Sequence, residues 1–247
     1  MITTFTRADR LRLAALFQSH EETRYYLNGV CIEEDPTGGV RLAATDGHRA
    51  ALFRDEAGHT NHTVIVAVPK PALAAIKACK SRDFVWFGII DGDRNRRTEA
   101  RIFDASESGG SLEEIQERMA DVTDQGVVWA GAVDLIDGIF PNIDATVPEF
   151  RGDASVGAHF NPTLLADFRQ VCEDFGKPGS LRLFANGADA AYVDCARKDF
   201  IGIIMPMRAE TQALEMRNHA VYAPKWARRP DKLSLDLATK ATQSEEA

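Results

Sequence analysis

Apolar and polar residues alternate over Met1–Thr6 and again over Thr63–Val68, a two-residue period that predicts a strand at each place. After the first, Leu13, Leu16 and Phe17 recur at i, i+3 and i+4 and predict a helix. Thr6 and Asp9 are spaced as a capping box at its start, and Arg7 and Arg10 share another face. Tyr25–Glu33 and Val40–Ala44 read as strands around the turn Asp35-Pro36-Thr37-Gly38-Gly39. The tight polar turn Thr45-Asp46-Gly47-His48-Arg49 then leads into a strand at Ala50–Phe53. The order so far is β-α-β-β-β.

That order recurs. After Thr63–Val68, Pro71 opens a helix to about Lys80, with Leu73, Ile76 and Cys79 inward. Strands follow at Phe84–Ile90 and Glu99–Asp104, joined by the charged loop Asp91–Arg97, and Val127–Leu135 closes the second unit. Ser106–Gln125 interrupts it as an insertion with a helical piece at Leu112–Met119. A third unit follows Phe150-Arg151-Gly152-Asp153. It has a strand at Ser155–Phe160 and a helix capped by Asn161-Pro162, lined by Leu164, Phe168, Val171 and Phe175 and ended by Gly176. Strands at Leu181–Phe184, Ala191–Cys195 and Phe200–Met205 complete it. Short helices separated by several strands predict an α+β fold, with helices packed on antiparallel sheets. From Thr211 the pattern is lost, and a basic cluster (Lys225, Arg228, Arg229, Lys232) precedes a frayed end.

The 247 residues carry 29 basic and 37 acidic side chains, a net charge of −8, which disfavours a surface that coats nucleic acid as a whole but allows a local basic strip. Four separated cysteines, Cys31, Cys79, Cys172 and Cys195, form no CxxC pair; they predict buried reduced thiols in a cytoplasmic protein and no metal site. No signal peptide and no membrane span is expected, and no cofactor. Nucleotide-binding and hydrolase motifs are missing from the sequence. Asp46 and His48 share a turn at a spacing that suits acid–base work, but a hydrogen-bonded turn is the simpler reading and no nucleophile signature accompanies them.

Three segments are more specific: Arg24-Tyr25-Tyr26-Leu27-Asn28-Gly29-Val30 followed by Ala44-Thr45-Asp46-Gly47-His48-Arg49-Ala50; Phe140-Pro141-Asn142-Ile143 with Val147-Pro148; and Ile203-Ile204-Met205-Pro206-Met207-Arg208. In this order they closely resemble the bacterial DNA polymerase III beta subunit, the sliding clamp, from about Thr4 to Arg208. The resemblance implies a DNA-clamp fold of repeated β-α-β-β-β half-domain modules. Residues 1–150 are similar to the family's complete middle domain, with the insertion at 106–125. Residues 154–210 resemble the second half of its last domain, and 211–247 form a tail. A counterpart of the first domain is not seen in the sequence.

The family resemblance also implies a non-enzymatic protein of DNA replication with two kinds of partner. A hydrophobic pocket for short peptides of polymerases, the clamp loader and repair proteins would use Leu27, Thr45, Gly47, His48, Arg49, Pro141, Ile203, Met205, Pro206, Met207 and Arg208. Met205 and Met207 are deformable, and Pro141 and Pro206 rigid, which suits an extended peptide. Ala50, Ala145 and Thr146 depart from the family pattern. Duplex DNA would be met through phosphates by Arg7, Arg10, Arg24, Tyr25, Tyr26, Lys70, Lys77, Lys80 and Arg82, with Arg12 in support. On the third helix Arg169 is outnumbered by Asp167, Glu173 and Asp174. A lone third module would leave a sheet edge and the apolar face of its helix to be covered, with another chain as the expected cover and hence a homo-oligomer. A peptide-binding module that does not encircle DNA is the alternative.

Overall fold

Strand β1 (Ile2–Arg7) passes straight into helix α1 (Ala8–Ala14), whose N-cap residue is Arg7 without any side-chain cap. The expected capping box does not form. Thr6 is still in the strand, fully buried, and its hydroxyl donates instead to Asp55 Oδ2 at 2.9 Å. In this computed structural model the residues described are 1–80, 82–90, 98–107, 109–148, 158–173, 180–186 and 189–207. The loop 91–97, the 149–157 connection, Phe175, Gly176, Arg208 and the tail with its basic cluster lie outside them, as does the side chain of Arg82. The described elements belong to one compact unit, Met1–Met207.

The first module continues with β2 (Val30–Glu34), β3 (Val40–Thr45) and β4 (Arg49–Asp55), and β5 (His59–Thr60) follows. The strand expected from Tyr25 begins only at Val30. Glu22–Leu27 forms 3-10 turns broken at Arg24, because local bonds compete with strand pairing: Ser19 N–H donates to Leu27 O at 2.9 Å and the Asn28 amide to Glu21 O at 3.1 Å. The second module is β6 (Val64–Ala67), α2 (Lys70–Ala78), β7 (Val85–Ile90), β8 (Glu99–Asp104) and β9 (Val127–Ala132), with the inserted α3 (Leu112–Ala120) between β8 and β9. Expected as one strand, Val127–Leu135 divides at Val133, and β10 (Asp134–Leu135) joins the other sheet. The third module supplies α4 (Pro162–Glu173), β11 (Arg182–Asn186), β12 (Asp189–Asp194) and β13 (Phe200–Ile204).

The first two modules exchange their opening strands. One sheet runs β5-β1-β7-β8-β9 and the other β10-β6-β2-β3-β4-β13-β12-β11. Thus β1 completes the second module's strands, pairing Ile2 with Ile90, and β6 completes the first module's, pairing Val30 with Val66. The eight-stranded sheet then crosses into the third module through β4 and β13, where Phe53 pairs with Phe200 and Ala50 with Ile203.

Alternation along the strands builds three layers of core. The inner faces of both sheets close on α1 and α2 through Leu11, Phe17, Leu42, Phe53, Ile76, Phe87 and Ile102. Helix α4 joins that core: Phe168 and Val171 are fully buried, and the Phe17 and Phe168 rings are 4.8 Å apart. Among the described residues its apolar face is therefore covered from within the chain at Phe168 and Val171, contrary to the expectation that another chain covers it. The inserted helix has a similar use. Capped by Ser111 and Glu114, α3 buries Ile115 and Met119 on the outer face of the five-stranded sheet, beside the stacked rings of Phe5 and Trp86. Arg101 donates to the carbonyls of Met119 and Ala120 at its C-terminal end.

Candidate functional site

On the outer face of the eight-stranded sheet, Ala50, Ile143 and Ile203 are buried together under the 136–147 segment. Arg41 anchors that segment, with Nη1 donating to Asp144 Oδ1 at 2.7 Å while its other nitrogens hold Glu33. Beside it opens a cleft of about 260 Å³, lined by Arg24, Tyr26, Leu27, Thr45, Gly47, Arg49, Ala50, Pro141, Asn142, Ile143, Thr146, Ile203 and Met205. One wall comes from the first module and its 3-10 turns, another from the third module's β13, and the floor from the anchored segment.

Local chemistry fixes the polar wall. The Asp46 Oδ1 accepts from the backbone of His48 at 2.9 Å and of Arg49 at 3.0 Å, which forms the turn between β3 and β4. Gly47 has φ 87, and a Cβ there would sit 2.4 Å from Arg24 Nη1, so glycine suits both the backbone and the neighbour. The Thr45 hydroxyl donates to Arg49 O at 2.7 Å and accepts from Gly47 N–H. The Asp46 carboxylate is therefore engaged by the turn and by Arg49 Nε at 3.0 Å, not by the His48 ring.

Arg49 is the hub. Its side chain is 8% exposed, and it donates to Asp46, to Leu164 O at 2.9 Å, to Asp167 Oδ2 and to Leu16 O at 3.2 Å. Its guanidinium also lies over the Phe17 ring. Four of its five N–H donors are taken by these partners, so Arg49 shapes the cleft mainly by locking α4 to β4. On the apolar side Met205 is 43% exposed, with its N–H donating to His48 O at 2.8 Å, and Ile203 is buried beneath it. That wall thus offers an exposed thioether beside a buried aliphatic side chain.

Seven of the eleven residues assigned to the pocket from the sequence line this cleft: Leu27, Thr45, Gly47, Arg49, Pro141, Ile203 and Met205. His48, Pro206 and Met207 are not among its lining residues; Met207 is 55% exposed and bridges His159 through its N–H. Asn142, Ile143 and Thr146 line it without having been assigned, although all three fall inside or beside the Phe140–Pro148 motif. Arg24 and Tyr26, read from the sequence as DNA contacts, also face this cleft.

The other cations divide into two groups. Lys70 and Lys77, seven residues apart on one face of α2, are exposed together with Lys80, and α2 holds no acid. Tyr25 is 53% exposed, its ring edge-on to Tyr26. By contrast, Arg7 lies over the Trp86 ring at 4.2 Å, and Arg10 Nε donates to Asp199 Oδ2 at 3.0 Å, near Asp9 and Asp55. Arg12 is 9% exposed. Burial raises the Asp9 carboxyl above the ordinary carboxylate range. It also raises Asp199 most strongly of any influence there, but Arg197 and Arg10 together outweigh it and hold that carboxyl low. On α4, Arg169 pairs with Glu173. Among the described residues no group of three or more metal-ligating side chains comes together, and no helix is long and apolar enough to cross a membrane.

A family model described as the central domain of the DNA polymerase III beta subunit matches residues 8–93. No curated protein matches the chain. Among solved structures it is similar to a ligand-bound DNA polymerase sliding clamp of Pseudomonas aeruginosa, at TM-score 0.54 and 20% identity over 84% of this chain and 66% of that one. A DNA polymerase III subunit beta from the same organism gives 0.53 and 18% over 85% and 67%. The sliding clamp of Bacillus subtilis gives 0.54 and 13% over 85% and 65%. The chain spans about two thirds of the length of these clamps. The resemblance read from the sequence is borne out, and the fold is that of a sliding clamp.

Proposed function

We propose, from a sliding-clamp fold whose residues 8–93 match the central domain of the DNA polymerase III beta subunit, that this protein is a clamp-like processivity factor of DNA replication. It associates with duplex DNA and holds short segments of polymerase, clamp-loader or repair proteins. The observation that carries this reading is the cleft where the first and third modules meet, with Leu27, Pro141, Ile203 and Met205 converging on one apolar opening. An extended peptide fits such a site: apolar side chains enter the cleft and the thioether of Met205 adapts to their shapes. Calorimetry with a short clamp-binding peptide is the test. Saturable binding that weakens on truncation of Met205 supports the reading, and no heat at high micromolar peptide overturns it.

DNA association is assigned to the phosphate backbone and to the α2 side of the molecule, where Lys70, Lys77 and Lys80 stand exposed without acidic neighbours on the helix. Arg24 and Tyr26 serve the peptide cleft in this reading, and Tyr25 remains available to either partner.

Self-association is part of the same proposal. Within each of the first two modules the last strand has an outer edge, and that of β4 is taken up by β13. The corresponding edge of β9 has no further strand among the described residues, nor has the outer edge of β11. The β9 sequence, Val127-Val128-Trp129-Ala130-Gly131-Ala132, carries no charge or proline to discourage pairing. Homo-oligomer formation through these edges is therefore proposed. The second reading, a peptide-binding module that does not encircle DNA, is favoured by the self-contained burial of α4. Light scattering separates them: a stable closed oligomer supports the clamp, and a monomer at high concentration supports the module.

A further inference from the structure

Two thiols of the third module face each other. Cys172 lies on α4 and Cys195 follows β12, 23 residues later, and their Sγ atoms are 2.6 Å apart. About half an ångström separates that distance from a sulfur–sulfur bond. Both positions are held from each side. Phe168 and Val171 seat α4 in the core, while Ala196, at φ 57, donates its N–H to Asp194 Oδ1 at 2.7 Å and fixes the turn that presents Cys195. Cys195 Sγ also lies 3.8 Å from Phe168 O. The two remaining cysteines are placed differently: Cys31 is buried on the outer face of the eight-stranded sheet, and Cys79 donates to Ala75 O at 3.3 Å.

We propose that Cys172 and Cys195 are an oxidant-dependent disulfide pair, closed by a peroxide. One thiol, as thiolate, attacks the O–O bond and becomes a sulfenic acid, releasing hydroxide that takes up its proton as water. The second thiol then attacks the sulfenic sulfur, a second water leaves, and the S–S bond forms. Two thiols and one peroxide give one disulfide and two waters, with each sulfur oxidised by one electron. Burial raises the pKa of both thiols, so closure is slow at neutral pH and the reduced pair is the resting form where thiols are kept reduced. The closed form staples α4, which carries the carbonyl of Leu164 and the carboxylate of Asp167 that hold Arg49, to the turn before β13. The inference stands independently of the proposed DNA and peptide partners.

Treating the folded full-length chain with limiting hydrogen peroxide tests it, followed by alkylation, intact mass and peptide mapping. The expected product has lost two hydrogens and gained no oxygen. A Cys172–Cys195 linked peptide appears and Cys31 and Cys79 stay alkylatable. The thermal midpoint rises by about 5 °C and falls back on addition of dithiothreitol. In Cys195→Ala the peroxide-dependent rise is lost. Oxygen added to either sulfur with no linkage, or linkage of Cys31 or Cys79 in place of this pair, overturns the proposal. The mapping uses the unmutated chain, so the result does not depend on how well the variant folds.

Discussion

Arg49 Nη1 and Asp167 Oδ2 meet at 2.5 Å, joining β4 of the first module to α4 of the third at the back of the cleft. The arginine is 8% exposed and the aspartate 36%, so the two ends of one ion pair differ in what their removal leaves behind. Truncating the arginine removes the cation shared by Asp46 and Asp167 and leaves the carbonyls of Leu164 and Leu16 without it; truncating the aspartate leaves a guanidinium that still has three acceptors.

Arg49→Ala is accordingly expected to destabilise by about 3 kcal/mol and Asp167→Asn by about 1 kcal/mol. Urea unfolding of both variants checks the asymmetry; equal losses would mean that the pair itself dominates.

Met205 is 43% exposed, so Met205→Ala should leave unfolding within about 0.5 kcal/mol of the parent while weakening peptide binding by about 1–3 kcal/mol. Calorimetry and denaturation on the same preparation separate the two effects. A large stability loss with unchanged affinity would make Met205 packing and not an anchor.

Charge reversal at Lys70 and Lys77 should lower the slope of log affinity against log salt for duplex DNA by about one per phosphate contact removed. Arg10→Ala should act on stability instead, because Arg10 pairs with Asp199 inside the fold. Binding titrations at several salt concentrations distinguish surface from joint; an unchanged slope in the lysine variant would turn α2 away from DNA.

Asp199 gives a pH signature. Its folded pKa is depressed, so the stability it contributes is present above the ordinary value near 4 and is lost as pH falls through the folded value. Asp9, raised by burial, acts in the opposite sense. Asp199→Asn should therefore flatten the loss of stability between about pH 5 and 3 relative to the parent, measured by urea midpoints across that range. A parallel loss in both proteins would refute the assignment.

The β9 edge predicts an effect of a single cation. Val128 is 44% exposed, and Val128→Lys should reduce self-association in light scattering without lowering the thermal midpoint of the dissociated chain. If the oligomer persists unchanged, the contact lies elsewhere.

Much of the module pattern was legible because β3, β4 and β7, buried on both faces, read as short apolar runs between turn signals, and the 3.6 period of α4 reflects burial on one face. The 3-10 turn at Tyr25–Leu27 was not, because bonds from the Ser19 backbone and the Asn28 side-chain amide hold turns where the sequence reads as strand. Nor was the division at Val133: a residue that switches sheets keeps the alternation of its neighbours. In the site, Leu27, Pro141 and Met205 carried recognisable motifs, whereas Ile143 and Thr146 line the cleft only because Arg41 pins their segment from a distant strand. The internal use of Arg10 was equally hidden, since Asp199 lies 189 residues away.

The exchange of opening strands has a consequence for synthesis. β1 is made well before its partner strand, which ends at Ile90, and β4 waits on its outer edge for β13, which ends at Ile204. A chain emerging from the ribosome at roughly 5–20 residues per second leaves β1 and the outer edge of β4 waiting for seconds before these partners are made. Long-range pairing of this kind makes for slow folding and leaves the nascent chain open to premature strand pairing. The buried threonines and the bulge between Ile2 and Thr4 in β1 give that waiting strand little of the flat, uniformly apolar character that off-pathway pairing requires.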